Sequence, residues 1–225
     1  MKKFSVLALT FISFLIISCS KKDEVVAPQN ENQAAAAQQP AGVPQFNEAN
    51  SKKVMWDELP AELKNATPIE TKVEQTKGSA RGLYSSYRYY VGPWGGGGGS
   101  PYYIYPPSGS RIYAMAIRSG ALIDRITIWY MTSNGTIYVG GDRGGNGGGY
   151  YLQFFAADEY IYYVAGRSGL YLDHLTMYTN RKWFSYGGNG GSPFAASVPY
   201  GYQILGIFGG SGIYIDRIGF YVYTR

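Results

Sequence analysis

The chain has 225 residues, 45% of them hydrophobic and 16% aromatic, and a formal net charge of +5. That length leaves room for one or two domains with a well-covered core, and a single cysteine, Cys19, excludes an internal disulfide framework. The basic excess does not point to nucleic acid: eleven of the twenty Lys and Arg precede residue 92, and the other nine are scattered rather than gathered with aromatics on one face.

In chain order, Lys2 and Lys3 precede an apolar run from Phe4 to Ile17. The run is too short to span a bilayer and has the length of a secretory h-region. It ends in Leu15-Ile16-Ile17-Ser18-Cys19, which resembles a bacterial lipoprotein signal, although Ile16 stands where leucine is usual. The resemblance implies that 1–18 is a cleaved signal peptide and that Cys19 carries the lipid, giving the protein a membrane anchor. The following Ser20-Lys21-Lys22-Asp23-Glu24 is similar to the start of surface-exported lipoproteins in some Gram-negative bacteria. The location expected from it is the outer membrane, at the cell surface. Residues 19–83 are rich in Ala, Gln, Asn, Pro, Lys and Glu and nearly empty of aromatics, so they are expected to be a disordered tether that cannot fold alone. Within it, Trp56 to Lys64 has the makings of one short helix.

From residue 84 onward the composition changes to Tyr, Ile, Val, Phe and Thr broken by Gly, Ser, Asn and Pro. Runs such as Arg111-Ile112-Tyr113-Ala114-Met115-Ala116-Ile117 and Arg125-Ile126-Thr127-Ile128-Trp129-Tyr130 alternate as strands do. This half is predicted to be all-β. Three glycine clusters punctuate it, at 95–99, 144–148 and 187–191. Each is followed by Ser-Gly and an apolar step ending in aspartate: Ser119-Gly120-Ala121-Leu122-Ile123-Asp124, Ser168-Gly169-Leu170-Tyr171-Leu172-Asp173 and Ser211-Gly212-Ile213-Tyr214-Ile215-Asp216. The intervals Gly95 to Asp124, Gly144 to Asp173 and Gly187 to Asp216 are all 29 positions, so the repeat is real. Three copies are too few for a propeller, and no polar capping repeats mark a solenoid. Three four-stranded sheets closed about a pseudo-threefold axis fit the count.

Gly-Gly-x-Gly-Gly loops paired with Gly-x-x-x-Asp turns make residues 84–225 resemble the jacalin-related lectins, and most of all the griffithsin-type members in which all three repeats keep both motifs. The resemblance implies a β-prism of three four-stranded Greek-key sheets. It also implies that each aspartate turn meets a glycine loop of the next repeat, the last closing onto the first. Asp124 would then pair with the loop ending at Gly148, Asp173 with Gly191, and Asp216 with Gly99. Galactose-preferring members use a free amino group beside the first loop; here a long tether runs into Gly92, so mannose-type glycans, including branched high-mannose ones, are the expected partners.

The residue types suit that chemistry. After residue 92 there are only six carboxylates, and three of them occupy the same repeat position. A carboxylate accepts two neighbouring hydroxyls at once, and its charge strengthens each bond. Bare glycine loops let a ligand approach backbone N–H groups. Tyr171 and Tyr214, two residues before their aspartates, offer an apolar ring face with a polar tip. Leu172 and Ile215 complete the expected site turns. Leu122 takes the tyrosine place in the first turn, so the Asp124 site is expected to be the poorest. Each motif taken singly also reads as a tight turn or bulge, and exposed tyrosines would equally serve a surface adhesion domain that recognises protein. An enzyme is disfavoured: three aspartates in equivalent settings lack the contrast that acid–base pairs need. His174 is the sole histidine, and no metal or other cofactor is implied.

Overall fold

The computed structural model describes residues 52–53, 56–69 and 87–225. Two short edge strands come first, β1 (Lys52–Lys53) and β2 (Thr67–Pro68), with a 3-10 helix (Trp56–Glu58) and the helix α1 (Ala61–Lys64) between them. The next strands are β3 (Tyr89–Gly95), β4 (Ser100–Ile104), β5 (Arg111–Ser119), β6 (Ile123–Met131), β7 (Ile137–Gly144) and β8 (Gly149–Phe154). Then follow β9 (Ile161–Ser168), β10 (Leu172–Thr179), β11 (Trp183–Gly187), β12 (Ser192–Ser197), β13 (Tyr202–Ser211) and β14 (Ile215–Thr224).

The twelve strands from β3 onward form three antiparallel four-stranded sheets. The first is ordered β8-β5-β6-β7, the second β12-β9-β10-β11 and the third β4-β13-β14-β3. A single pairing of Ile204 with Ile161 joins the second and third at one corner. Each sheet has the same plan. An inner hairpin, closed by an aspartate turn, is flanked by an outer pair whose two strands are connected by a glycine loop. In the third sheet the inner hairpin is the C-terminal one and the outer pair is β3 and β4, so the two ends of the domain are sewn together. The expected prism of three Greek-key sheets is the observed fold.

Alternation decides what each strand buries. Along β6, Ile126, Ile128 and Tyr130 enter the central core, where they meet Leu172, Met177, Phe184, Ile207 and Phe220 from the other sheets. Two buried polar tips are satisfied across the sheets: Tyr130 Oη donates to Leu205 O at 2.8 Å, and Gln153 Nε2 donates to Tyr186 Oη at 2.9 Å.

The outer face of the first sheet has a different cover. Leu59, Leu63 and Ala66 pack on Ala114, Ala116, Trp129, Tyr150 and Leu152. Trp129 Nε1 donates to Leu63 O at 2.9 Å, and β2 pairs in parallel with β7. Residues 59–69 thus depart from a bare tether. The segment lacks the apolar surface for a core of its own, but two small alanines and a tryptophan give it a sheet face to borrow. Pro60 divides its helical stretch in two. The signal segment 1–18, Cys19 and the greater part of the tether lie outside the described residues.

Candidate functional site

Because β5–β6 and β7–β8 lie in one sheet, the turn at Asp124 and the loop 144–148 emerge at the same end. Arg125 is opposite Gly144, and Ser119 is opposite Gly149. The other two sheets repeat this placement, so three carboxylates and three glycine loops share one end of the prism.

Each loop is bound to its turn from the first glycine pair. The N–H groups of Gly96, Gly145 and Gly188 donate to the backbone O of Asp216, Asp124 and Asp173 at 3.0, 2.9 and 2.8 Å. The second pair lies over the carboxylate. A Cβ on Gly98, Gly147 or Gly190 would stand 2.4, 2.2 or 2.3 Å from Oδ1 of Asp216, Asp124 or Asp173. A Cβ on Gly99, Gly148 or Gly191 would stand 2.4, 2.7 or 2.6 Å from the matching Oδ2. The last glycines also adopt φ of 69°, 65° and 64°, which side chains disfavour. Glycine is therefore required at both places, because the backbone itself covers the acid.

The structure brings together all three sequence-predicted pairs: Asp124 with Gly148, Asp173 with Gly191, and Asp216 with Gly99. Their settings differ. Asp124 and Asp216 are each 6% exposed, whereas Asp173 is half-buried. Burial raises the Asp124 pKa above the ordinary carboxylate value, offset in part by a hydrogen bond from the Gly120 backbone and by the Arg118 charge. Asp216 Oδ2 is buried with no hydrogen-bond partner among the described residues.

Leu172 and Ile215 are fully buried and anchor their turns in the core, so their side chains do not reach the open end. Tyr171 and Tyr214, from the turns of the second and third sheets, lie in contact. Their rings meet edge-on, with centroids 5.2 Å apart and planes at 65°.

The loops are held by basic residues that sequence reasoning passed over as scattered. Arg118 Nη1 donates to Asn146 O at 2.8 Å, and Arg167 donates to Gly190 O and Gly191 O at 2.8 and 2.7 Å. Arg125 donates to Gly145 O and Gly144 O at 2.9 and 3.1 Å. His174 bonds Gly188 O through Nδ1 at 3.0 Å and Ser185 Oγ through Nε2 at 2.6 Å. Its Nδ1 must carry the proton, because a carbonyl only accepts. In the third sheet Gly210 replaces the first arginine, and Arg217 Nη1 donates to Gly98 O at 2.7 Å. A Cβ on Gly210 would lie 2.6 Å from that Nη1, so the glycine makes room for one arginine to serve the loop. The legible signal was the basic residue directly after each aspartate: Arg125, His174 and Arg217.

Two further carboxylates of the prism have structural work elsewhere. Glu159 accepts from Thr179 Oγ1 at 2.8 Å, and Asp158 pairs with Arg181. The site end combines acceptor-only acids with side-chain-free backbone, an arrangement that suits neutral hydroxyl groups.

A β-prism with a repeated aspartate–glycine-loop site defines a class of sugar-binding scaffold. The Jacalin-like lectin domain matches residues 91–221, more than half of the chain, and the chain belongs to that family. Among solved structures it is similar to the Malaysian banana lectin, with 33% identity over 61% of this chain and 99% of that one, at a TM-score of 0.55. It is also similar to a mannose-binding jacalin-related lectin from Ananas comosus, with 26% identity, coverage of 61% and 98%, and a TM-score of 0.55. The Calystegia sepium lectin, solved with a biantennary N-glycan, shows 27% identity, coverage of 63% and 99%, and a TM-score of 0.54. No curated protein matches the chain at a significant level.

Proposed function

We propose that the protein is a non-catalytic lectin that binds mannose-type glycans at three sites, one at each aspartate turn. The observation that carries this reading is the threefold repetition of one frame: a carboxylate covered by a Gly-Gly-x-Gly-Gly loop. The unpartnered Oδ2 of Asp216 supports it, since a buried acceptor gains most from a ligand hydroxyl. The Ananas comosus lectin is described as mannose-binding and the Calystegia sepium lectin was solved with an N-glycan, which favours the mannose-type class here.

The lectin end is carried on an exported, lipid-anchored protein, with Cys19 as the modified residue and the outer membrane surface as its place. The motif at 15–19 supports this part, and several acyl chains on one cysteine give stable anchoring. Cys19→Ala should leave the membrane fraction or accumulate uncleaved; correct processing with full membrane retention would overturn the anchor. For the lectin reading, a glycan array separates sugar from protein recognition. Binding confined to mannose-type glycans, and lost in the triple variant Asp124→Asn/Asp173→Asn/Asp216→Asn, is the expected result. An array with no positive glycan would favour a protein-recognising surface domain.

A further inference from the structure

The first and third sheets present their outer faces differently. Leu59 and Leu63 close the face of the first. The third sheet has an open cleft of about 280 Å³ on its own outer side. The register places Tyr103 of β4 opposite Phe208 of β13, and Tyr90 of β3 opposite Tyr221 of β14. The Phe208 ring lies across the bare Gly219, where a Cβ would stand 2.3 Å from its Cζ. It meets Tyr221 with centroids 4.7 Å apart and Tyr90 edge-on at 5.5 Å. Tyr221 is itself tied through its hydroxyl to Tyr105 Oη at 3.0 Å. Phe208 and Tyr221 thus make a packed floor. Tyr90, 56% exposed, and Tyr103, 43% exposed, stand as its walls.

Arg217 brings a positive charge to this cleft. It shares a cross-strand row with Gly210 and Pro101 and lines the end nearest the glycine loop. Its guanidinium bonds to Gly96 O and Gly98 O both leave from Nη1. A guanidinium also donates from Nε and Nη2, which make no hydrogen bond among the described residues and remain for a ligand. The four strands of the sheet contain one carboxylate, Asp216, and it is withdrawn beneath the glycine loop. No acid of this sheet therefore opposes an anion in the cleft.

From this we infer that the cleft is a second glycan site, separate from the aspartate turns and suited to acidic chains built of uronic acids. Tyrosine rings offer apolar faces to sugar C–H groups and hydroxyl tips to the ring substituents. A guanidinium takes a sugar carboxylate on two donors. The aspartate turns are acceptor-only and repel the same ligand. Charge thus divides neutral sugars at the end of the prism from acidic ones on its side. The inference goes beyond the lectin reading above and is tested independently of it.

Calorimetry on the full chain with trigalacturonate and with its methyl ester tests this, because the ester keeps the sugar chain and removes the charge. Trigalacturonate should bind, and the ester should bind about tenfold or more weaker, the scale of a lost charged hydrogen bond. Tyr90→Ala and Tyr103→Ala should each weaken trigalacturonate by about twofold to tenfold, the worth of one aromatic contact, and leave mannose unchanged. Arg217→Gln should remove the preference for acid over ester. The triple variant Asp124→Asn/Asp173→Asn/Asp216→Asn should keep its trigalacturonate binding. No binding of trigalacturonate, equal binding of the ester, or loss of binding in the triple variant would each overturn the cleft site. Undiminished binding in both tyrosine variants, or an unchanged preference in Arg217→Gln, would do the same. The ester comparison uses the unaltered chain, so the test does not depend on the folding of any variant. Trigalacturonate binding that meets these expectations in a chain that takes no mannose would keep the cleft and remove the lectin reading of the aspartate turns.

Discussion

The Asp124 and Asp173 sites share a backbone frame and differ in nearly everything the frame does not dictate. Asp124 is almost withdrawn from water and its pKa is raised by burial; Asp173 is half-buried. Arg125 grips two loop carbonyls beside Asp124, whereas His174 grips one beside Asp173. Leu122 stands where Tyr171 does, and the backbone of Ile213 lies against one loop and that of Ala121 against the other. Three copies of a motif therefore give three distinct settings. The glycines and aspartates set the shared frame, and the residues between them vary what surrounds it.

The largest expected effect comes from using the sites together. All three carboxylates lie at one end, so a branched glycan that reaches two gains about 10²–10⁴ over a single contact. Asp173→Asn/Asp216→Asn should abolish that gain for a branched high-mannose glycan in calorimetry, leaving a protein that binds it no better than mannose. Single substitutions are milder. Removing a charged acceptor from ligand hydroxyls costs about 1.5–3 kcal/mol, roughly a tenfold to hundredfold loss at that site. We expect Asp173→Asn and Asp216→Asn to cost more mannose binding than Asp124→Asn, because only the first two turns carry a tyrosine. Equal losses would show that the aromatic ring has no part in the ranking.

Acid separates the Asp124 site by its protonation. A carboxyl with a raised folded pKa contributes stability that is complete below its unfolded value, near 3.8, and lost as pH rises through the raised one. Binding runs the other way, since only the ionised form accepts from two hydroxyls. The Asp124-only protein should therefore lose mannose as pH falls through a midpoint above 3.8, while this group's contribution to stability increases over the same window. A binding midpoint at or below 3.8 would contradict the burial argument. The smallest change is Leu122→Tyr, which should strengthen mannose at Asp124 by about twofold to tenfold, the usual worth of one aromatic contact.

Much of this was legible before any coordinates. The 29-residue interval identified the repeat, the strand alternation identified the sheets, and the resemblance paired each aspartate with its loop. What stayed hidden depends on contacts between segments distant in the chain. Arg118 and Arg167 look like any surface arginine until the carbonyls they hold are beside them. Leu172 and Ile215 belong to the site turns in sequence but to the core in space, because alternate residues point to opposite faces. Leu59 and Leu63 sit in a segment with too little apolar surface to fold alone, and nothing local announces that Trp129 and two alanines await them.

The central claim is that each aspartate–glycine-loop pair is a separate sugar site, and stoichiometry tests it most directly. Titration of the full chain with mannose should give three equivalents bound per chain, and each single Asp→Asn should remove one of them. A stoichiometry that stays unchanged when Asp124, Asp173 and Asp216 are replaced in turn would contradict the account.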